Sequence, residues 1–70
     1  MSDSQKIQLS EKFVHQLMNT PESGMGFHRV DIYLNNGTVL RNKIVLNCSI
    51  LILEYSIKIN PNEIKEFIVI

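Results

Sequence analysis

The sequence lacks most of the supports that very small domains use. Its 70 residues include one cysteine, two histidines and no tryptophan. A single cysteine, Cys48, cannot form an internal disulfide, and His15 and His28 are too few and too isolated to hold a metal ion. Because a chain of this length buries only about 60% of the surface that its unfolded form exposes, self-association is the support that remains.

Charge of one sign and long apolar runs are absent as well. Seven Lys and Arg balance seven Asp and Glu, which argues against a strong general attraction to nucleic acid or to an anionic membrane. No segment approaches the roughly 18 consecutive apolar residues of a membrane span, and the polar start MSDSQKIQLS does not match a signal peptide. Together with the unpaired cysteine, these features predict a cytoplasmic protein that does not contact a membrane.

What is present is typical of a single globular domain over residues 1–70, with 44% hydrophobic residues. We expect a flexible N-terminus over residues 1–9, a helix over residues 10–19 that Ser10 caps, and a linker turn over residues 20–26. The helix is predicted from the helical spacing of five apolar residues, which are Leu9, Phe13, Val14, Leu17 and Met18.

From residue 27 onward the apolar residues alternate with a period of two, which is typical of strands with one buried face. Asn36-Gly37 predicts a hairpin, closed either by a two-residue turn or by a three-residue loop with a glycine bulge. The three-residue loop fits the apolar pattern better, since it pairs Ile32 with Leu40. In that register the second strand directs Leu40, Ile44 and Leu46 to the core and Arg41, Lys43 and Val45 outward.

Three further strands are predicted, and two of them are apolar on both faces. Ile50–Leu53 and residues 67–70 are the strands that are apolar on both faces. Between them in the sequence, Ser56–Ile59 has alternating polar and apolar residues. The sequence therefore predicts a mainly β fold with one N-terminal α-helix. The five strands are expected to form either a strongly bent antiparallel sheet or a small barrel over residues 27–70.

This order of elements, together with several local motifs, resembles the Sm-like family of small SH3-type barrels, which includes the Hfq-like proteins. The motifs are the hairpin at residues 32–37, the segment 39–42 that follows it, Asn47 ahead of the apolar strand 50–53, and the turn into the last strand at residues 62–68. The resemblance implies an SH3-type barrel that assembles into a ring and binds single-stranded RNA.

The chain departs from the family at positions that affect curvature and RNA binding. Asn42 stands where the family usually has the glycine that allows a hard bend, and asparagine is a weaker substitute. Cys48 and Ser49 stand where the family commonly has an aromatic residue that stacks on a base. The resemblance in fold is therefore closer than the resemblance in function.

One group of cations on the first hairpin suggests an RNA-binding strip. Arg29, Arg41 and Lys43 are predicted to share the outward face of this hairpin. Tyr33 lies among them and offers a ring on which a base can stack. The alternative is a solvated sheet face on which Asp31 pairs with these cations across the strands. The residues predicted to bind RNA are Arg29, Tyr33, Arg41, Lys43 and Asn47.

The strands that are apolar on both faces carry more apolar surface than one small barrel and one helix can cover, so an interface between subunits is expected to bury it. We therefore predict a non-enzymatic module that forms homo-oligomers, and alternatively an Sm-like ring that binds single-stranded RNA through the basic hairpin face. No general base, nucleophile, metal set or cofactor motif is recognisable, and His28 and Cys48 are interpreted as structural. The residues predicted to form the oligomer interface are Ile50, Ile52, Phe67 and Val69.

Overall fold

Five antiparallel strands form one open sheet, and a single helix covers one of its faces. The computed structural model describes residues 4–70 of the chain. Within this range no helix has both the length and the apolar character needed to cross a membrane. The elements in chain order are β1 (Ser4–Gln8), α1 (Glu11–Met18), β2 (Phe27–Leu34), β3 (Val39–Leu46), β4 (Ile50–Glu54), a 3-10 turn (Pro61–Glu63) and β5 (Ile64–Val69).

The strands lie in the order β1-β4-β3-β2-β5, so β1 and β5 are the two edges. The prediction of a mainly β fold with one helix and five antiparallel strands is confirmed. The sheet is not closed, because β1 and β5 pair only with β4 and β2, respectively, and not with each other. The expectation of a barrel over residues 27–70 is therefore wrong, and the alternative of an open sheet describes the molecule.

The first strand lies where the sequence predicted a flexible segment over residues 1–9. Residues 4–8 pair with β4, for example Ile7 with Leu51, and residues 1–3 lie outside the described residues. Residues 4–8 include one apolar residue, Ile7, so they show no apolar alternation that predicts a strand. The polar residues are tolerated because β1 is an edge strand with one face in solvent.

The fourth predicted strand is absent from its expected place at Ser56–Ile59. That segment forms no ladder with another strand, although the side chains of Ile57 and Ile59 are half-buried against the core. The alternation of apolar residues there reflects this packing and not strand pairing. The count of five strands was right, but β1 supplies the fifth strand.

Both ends of the helix, at Glu11 and Met18, lie within one residue of the predicted bounds of 10 and 19. The helix packs on the chain's own sheet. Phe13 and Leu17 are buried, and the ring of Phe13 lies 4.7 Å from the ring of Phe67 on β5. Met18, expected on the same apolar face, is instead 68% exposed. Ser10 precedes the helix in an extended conformation, but its hydroxyl makes no capping hydrogen bond.

The hairpin between β2 and β3 has the three-residue loop with a glycine bulge. The Leu34 N–H donates to the Thr38 carbonyl at 2.9 Å, and Ile32 pairs with Leu40 as predicted. Gly37 has a φ of 92°, which glycine adopts without steric cost.

A β-bulge at Asn42 then reverses which side chains of β3 face the core. Val30 pairs with Lys43 and Ile32 pairs with Leu40, so Asp31 between them lies opposite two residues, Arg41 and Asn42. Asn42 has a φ of 59°, the left-handed conformation that asparagine tolerates better than most residues. Its backbone conformation therefore accommodates the extra residue of the bulge.

The bulge explains why the predicted burial of β3 is wrong beyond residue 42. Ile44 and Leu46 were expected in the core, but Leu46 is exposed and Ile44 is only half-buried. Val45, expected outside, is fully buried. One extra residue in a strand shifts the alternation by one position, so every later side chain moves to the other face.

Candidate interaction surface

The two faces of the sheet have different surroundings. The face under α1 holds the core, in which Val30, Val45 and Leu51 are fully buried. The opposite face is covered by no helix in the part of the chain that the structure describes, and we call it the open face. Because directly opposed residues of neighbouring strands share a face, the strand register shows which side chains lie on it.

Two rows of side chains cross the middle of the open face. The first, the Phe27 row, runs across β1, β4, β3 and β2 and consists of Gln8, Ile50, Leu46 and Phe27. The second, the Arg29 row, lies two residues away on each strand and consists of Lys6, Ile52, Ile44 and Arg29. The apolar residues of the two rows are Phe27, Ile44, Leu46, Ile50 and Ile52.

Two further isoleucines extend this apolar surface along β5 and beyond its end. Ile68 pairs with Asp31 on β2, and the Ile70 N–H continues the ladder by donating to the Arg29 carbonyl at 2.9 Å. Ile68 is 44% exposed and Ile70 is 56% exposed. The open face is therefore apolar from β4 to β5, with charged residues between and around the apolar ones.

The residues predicted to form an oligomer interface lie on both faces. Ile50 and Ile52 belong to the open face, as the register with β3 shows. Phe67 is buried under α1, and Val69 packs against the core. The sequence correctly indicated that β4 is apolar on both faces, but Phe67 and Val69 contribute to the intramolecular core.

The predicted RNA-binding cations do not form one free strip. Arg29 is exposed on the open face, and no carboxylate of residues 4–70 lies within salt-bridge distance of it. Tyr33 is on the same face, four residues along β2. Arg41 instead pairs with Asp31 at 3.2 Å, and the other carboxylate oxygen of Asp31 accepts the Asn42 N–H at 2.9 Å.

Lys43 was expected beside Arg29 but lies on the helix-facing side, opposite Val30. Its Nζ donates to both carboxylate oxygens of Glu54, at 3.2 and 3.1 Å, and its side chain is only 18% exposed. The bulge that moved Val45 into the core also moved Lys43. Asn47 is in the turn between β3 and β4, where its N–H donates to the Gly26 carbonyl at 3.0 Å.

His28, interpreted from the sequence as structural, is fully buried. Its Nε2 lies 2.8 Å from the Thr20 carbonyl oxygen, to which the Nε2–H donates. Its Nδ1 has no hydrogen-bond partner. The imidazole thus fastens the chain just after α1 to the start of β2, and it is shielded from any ligand in solvent.

The described residues contain no group of three or more His, Cys, Asp or Glu side chains placed to hold a metal ion. Cys48 is in the turn between β3 and β4 with a φ of 62°, next to Asn47 at 51°. Its side chain is half-buried against the core. The open face is therefore the candidate site, and its two rows carry mainly apolar side chains.

Sequence reasoning missed most of this surface. Ile44 and Leu46 were assigned to the core because the bulge was not anticipated. The signal that could have found it was Asn42 itself, since asparagine adopts positive φ more readily than most residues and such residues are common at bulges.

No protein-family model matches the chain, and the comparisons with curated proteins and with solved structures also found no match. The resemblance to the Sm-like family therefore stays a hypothesis that rests on the motifs of the sequence.

Proposed function

We propose that this protein is a non-enzymatic interaction module that forms homo-oligomers through the open face of its sheet. The observation that carries the proposal is the set of apolar side chains on the face that α1 does not cover. Ile44, Ile50 and Ile52 lie at its centre, on the two inner strands next to β1 and β2. We place the module in the cytoplasm, because its one cysteine cannot form an internal disulfide.

The size of the open face supports this proposal. Five strands about 4.8 Å apart and about six residues long at about 3.3 Å each give a face of roughly 500 Å². The apolar side chains on this face are half-buried or exposed, and the largest apolar patch on a protein surface is often an interaction site. Covering this face removes apolar surface from water, which is the dominant favourable term in association.

The proposal assigns no catalytic chemistry to the chain. A general acid or base must reach its substrate, and His28 is fully buried. Cys48 packs against the core, and the other histidine, His15, is on the solvent side of α1.

Native mass as a function of concentration tests the proposal directly. Sedimentation equilibrium of the full chain across the micromolar range is expected to show a mass that rises above 8.1 kDa as the concentration increases. A mass that stays at the monomer value at every concentration would contradict the proposal.

Binding of single-stranded RNA is the second candidate function, and Arg29 and Tyr33 are the observation that favours it. They share the open face, and Arg29 has no acidic partner among residues 4–70. The proposal is weaker than self-association because Arg41 and Lys43 each pair with a carboxylate. Titration of uridine-rich and adenosine-rich strands at 50 mM and 200 mM salt tests it, since counterion release makes phosphate binding salt-dependent. Absence of binding at the lower salt concentration would eliminate it.

A further inference from the structure

We propose that two copies of this chain stack face to face about a two-fold axis that runs across the strands, midway between the Phe27 row and the Arg29 row. This inference rests on the proposed function and specifies the partner and the register of the same surface. The partner is a second copy of the chain, and the assembly is a closed dimer in which each open face covers the other.

The strand register makes the two rows complementary under this symmetry. Rotation about the axis exchanges the rows, so each residue of one row faces the residue two positions along the same strand in a second copy. On β4, Ile50 then meets Ile52 of the second copy, and on β3, Leu46 meets Ile44. Both pairs occur twice because the interface is isologous. The inner faces of stacked sheets lie about 10 Å apart, which these side chains can fill.

The same rotation gives Arg29 a suitable neighbour. It brings the ring of Phe27 from the second copy over the guanidinium, and an arginine over an aromatic face is attracted by the ring quadrupole. Arg29 has no carboxylate partner within residues 4–70. Arg29, the one cation that β2 contributes to the two rows, is therefore accommodated by an aromatic contact in the dimer.

Area and charge also favour a second copy as the occupant. Two faces of roughly 500 Å² bury about 1,000 Å² together, the size at which specific interfaces begin. The chain carries as many cations as anions, so two copies do not repel each other through net charge. We therefore expect a dimer that forms in the micromolar range and dissociates on dilution.

The edges of the sheet are less suited to join two copies. Edge strands are protected by charged residues and by side chains that occupy their backbone groups. On β5, the Gln16 side-chain amide donates to the Phe67 carbonyl at 3.1 Å, and Lys65 is exposed. On β1, Lys6 and Gln8 are exposed.

A pair of complementary charge variants tests the register. In Ile50→Glu and in Ile52→Lys, a charge faces an isoleucine of the second copy, so each variant alone is expected to weaken dimerisation about a hundredfold or more. In an equimolar mixture the new carboxylate and the new ammonium face each other, and a heterodimer is expected to recover most of the lost affinity. Met18→Lys is the matched control, because it adds a charge at an exposed apolar residue of α1 and is expected to leave the dimer unchanged.

The outcomes separate this inference from the proposed function. If both variants are monomers and their mixture remains monomeric, the open face is used but the two-fold register is wrong. If the single variants dimerise as the unchanged chain does, the stacked dimer is wrong and the chain associates through a surface other than the open face. If the unchanged chain is a monomer, the proposed function itself fails.

A second charge pair on β3 gives an independent readout, because Leu46 of one copy faces Ile44 of the other. Leu46→Glu and Ile44→Lys are each expected to weaken dimerisation, and their equimolar mixture is expected to recover a heterodimer. A mixture that stays monomeric would overturn the register.

Discussion

Replacement of Asn42 by valine tests whether the bulge in β3 decides which face of that strand is buried. Asn42 has a φ of 59°, and its N–H donates to a carboxylate oxygen of Asp31 at 2.9 Å. Valine is β-branched and is a rare outlier in this conformation. Asn42→Gly is the matched control at the same position, because glycine adopts positive φ freely.

The magnitude follows from the two ways in which the chain can respond. If the bulge is kept, a non-glycine residue in the left-handed region is strained by about 1–2 kcal/mol. If the bulge is lost, the hydrogen bond to charged Asp31 is lost with it, and such bonds contribute about 1.5–3 kcal/mol. In that case Val45 also leaves the core. We therefore expect Asn42→Val to lower the free energy of unfolding by about 2 kcal/mol, and Asn42→Gly to change it by less than about 1 kcal/mol.

Urea unfolding followed by circular dichroism measures both values, and thermal unfolding gives an independent check. For a domain of this size, 1 kcal/mol corresponds to about 4–8 °C in Tm, so the two variants are expected to differ clearly. Equal stabilities of Asn42→Val and Asn42→Gly would refute the reasoning, since they would show that backbone conformation at this position does not determine the energy of the bulge.

Substitutions at three further positions test other features of the fold by the same measurements. Gly24→Ala is expected to lower stability by about 1–3 kcal/mol, because an added Cβ would overlap the ring of Phe27; an unchanged Tm would show that the ring moves freely. His28→Ala is expected to lower stability by about 3 kcal/mol, because it leaves a cavity and removes the hydrogen bond to Thr20. His28→Leu fills the space and removes the unpaired Nδ1, so it is expected to lower stability by less. A less stable His28→Leu than His28→Ala would contradict this. Cys48→Gly is expected to be about 1 kcal/mol more stable than Cys48→Ala, since only glycine is free of strain at a φ of 62°, and equal values would show that the turn is relaxed.

The local signals of the sequence predicted local structure well. The spacing of Phe13 and Leu17 predicted the helix, and Asn36-Gly37 predicted the hairpin with its three-residue loop. Both depend on interactions between residues that are near each other in the chain. The alternation of apolar residues in β2 correctly predicted a strand with one buried face for the same reason.

The errors arose where a distant partner or a single backbone angle decides the structure. The polar strand β1 forms because β4 offers it an edge, and no pattern within residues 4–8 shows that. The side chains after Asn42 changed faces because one residue adopts positive φ. The prediction of the site was wrong for the same reason. The bulge places Lys43 on the opposite face from Arg29 and places Ile44 on the open face.

The pairing of β1 with β4 has a consequence for the order in which the chain folds. Among β2, β3 and β4, each strand pairs with a neighbour in the sequence, whereas Gln8 on β1 pairs with Ile50 on β4, more than half of the chain away. Contacts between distant residues require closure of a long loop before they stabilise anything, so they form late. We expect the three central strands to assemble first and the two edge strands, β1 and β5, to dock later, because both pair with residues far away in the sequence. Until β1 docks, the backbone edge of β4 is open to strands of other molecules, so the rate of its docking affects how long each newly made chain is exposed to aggregation.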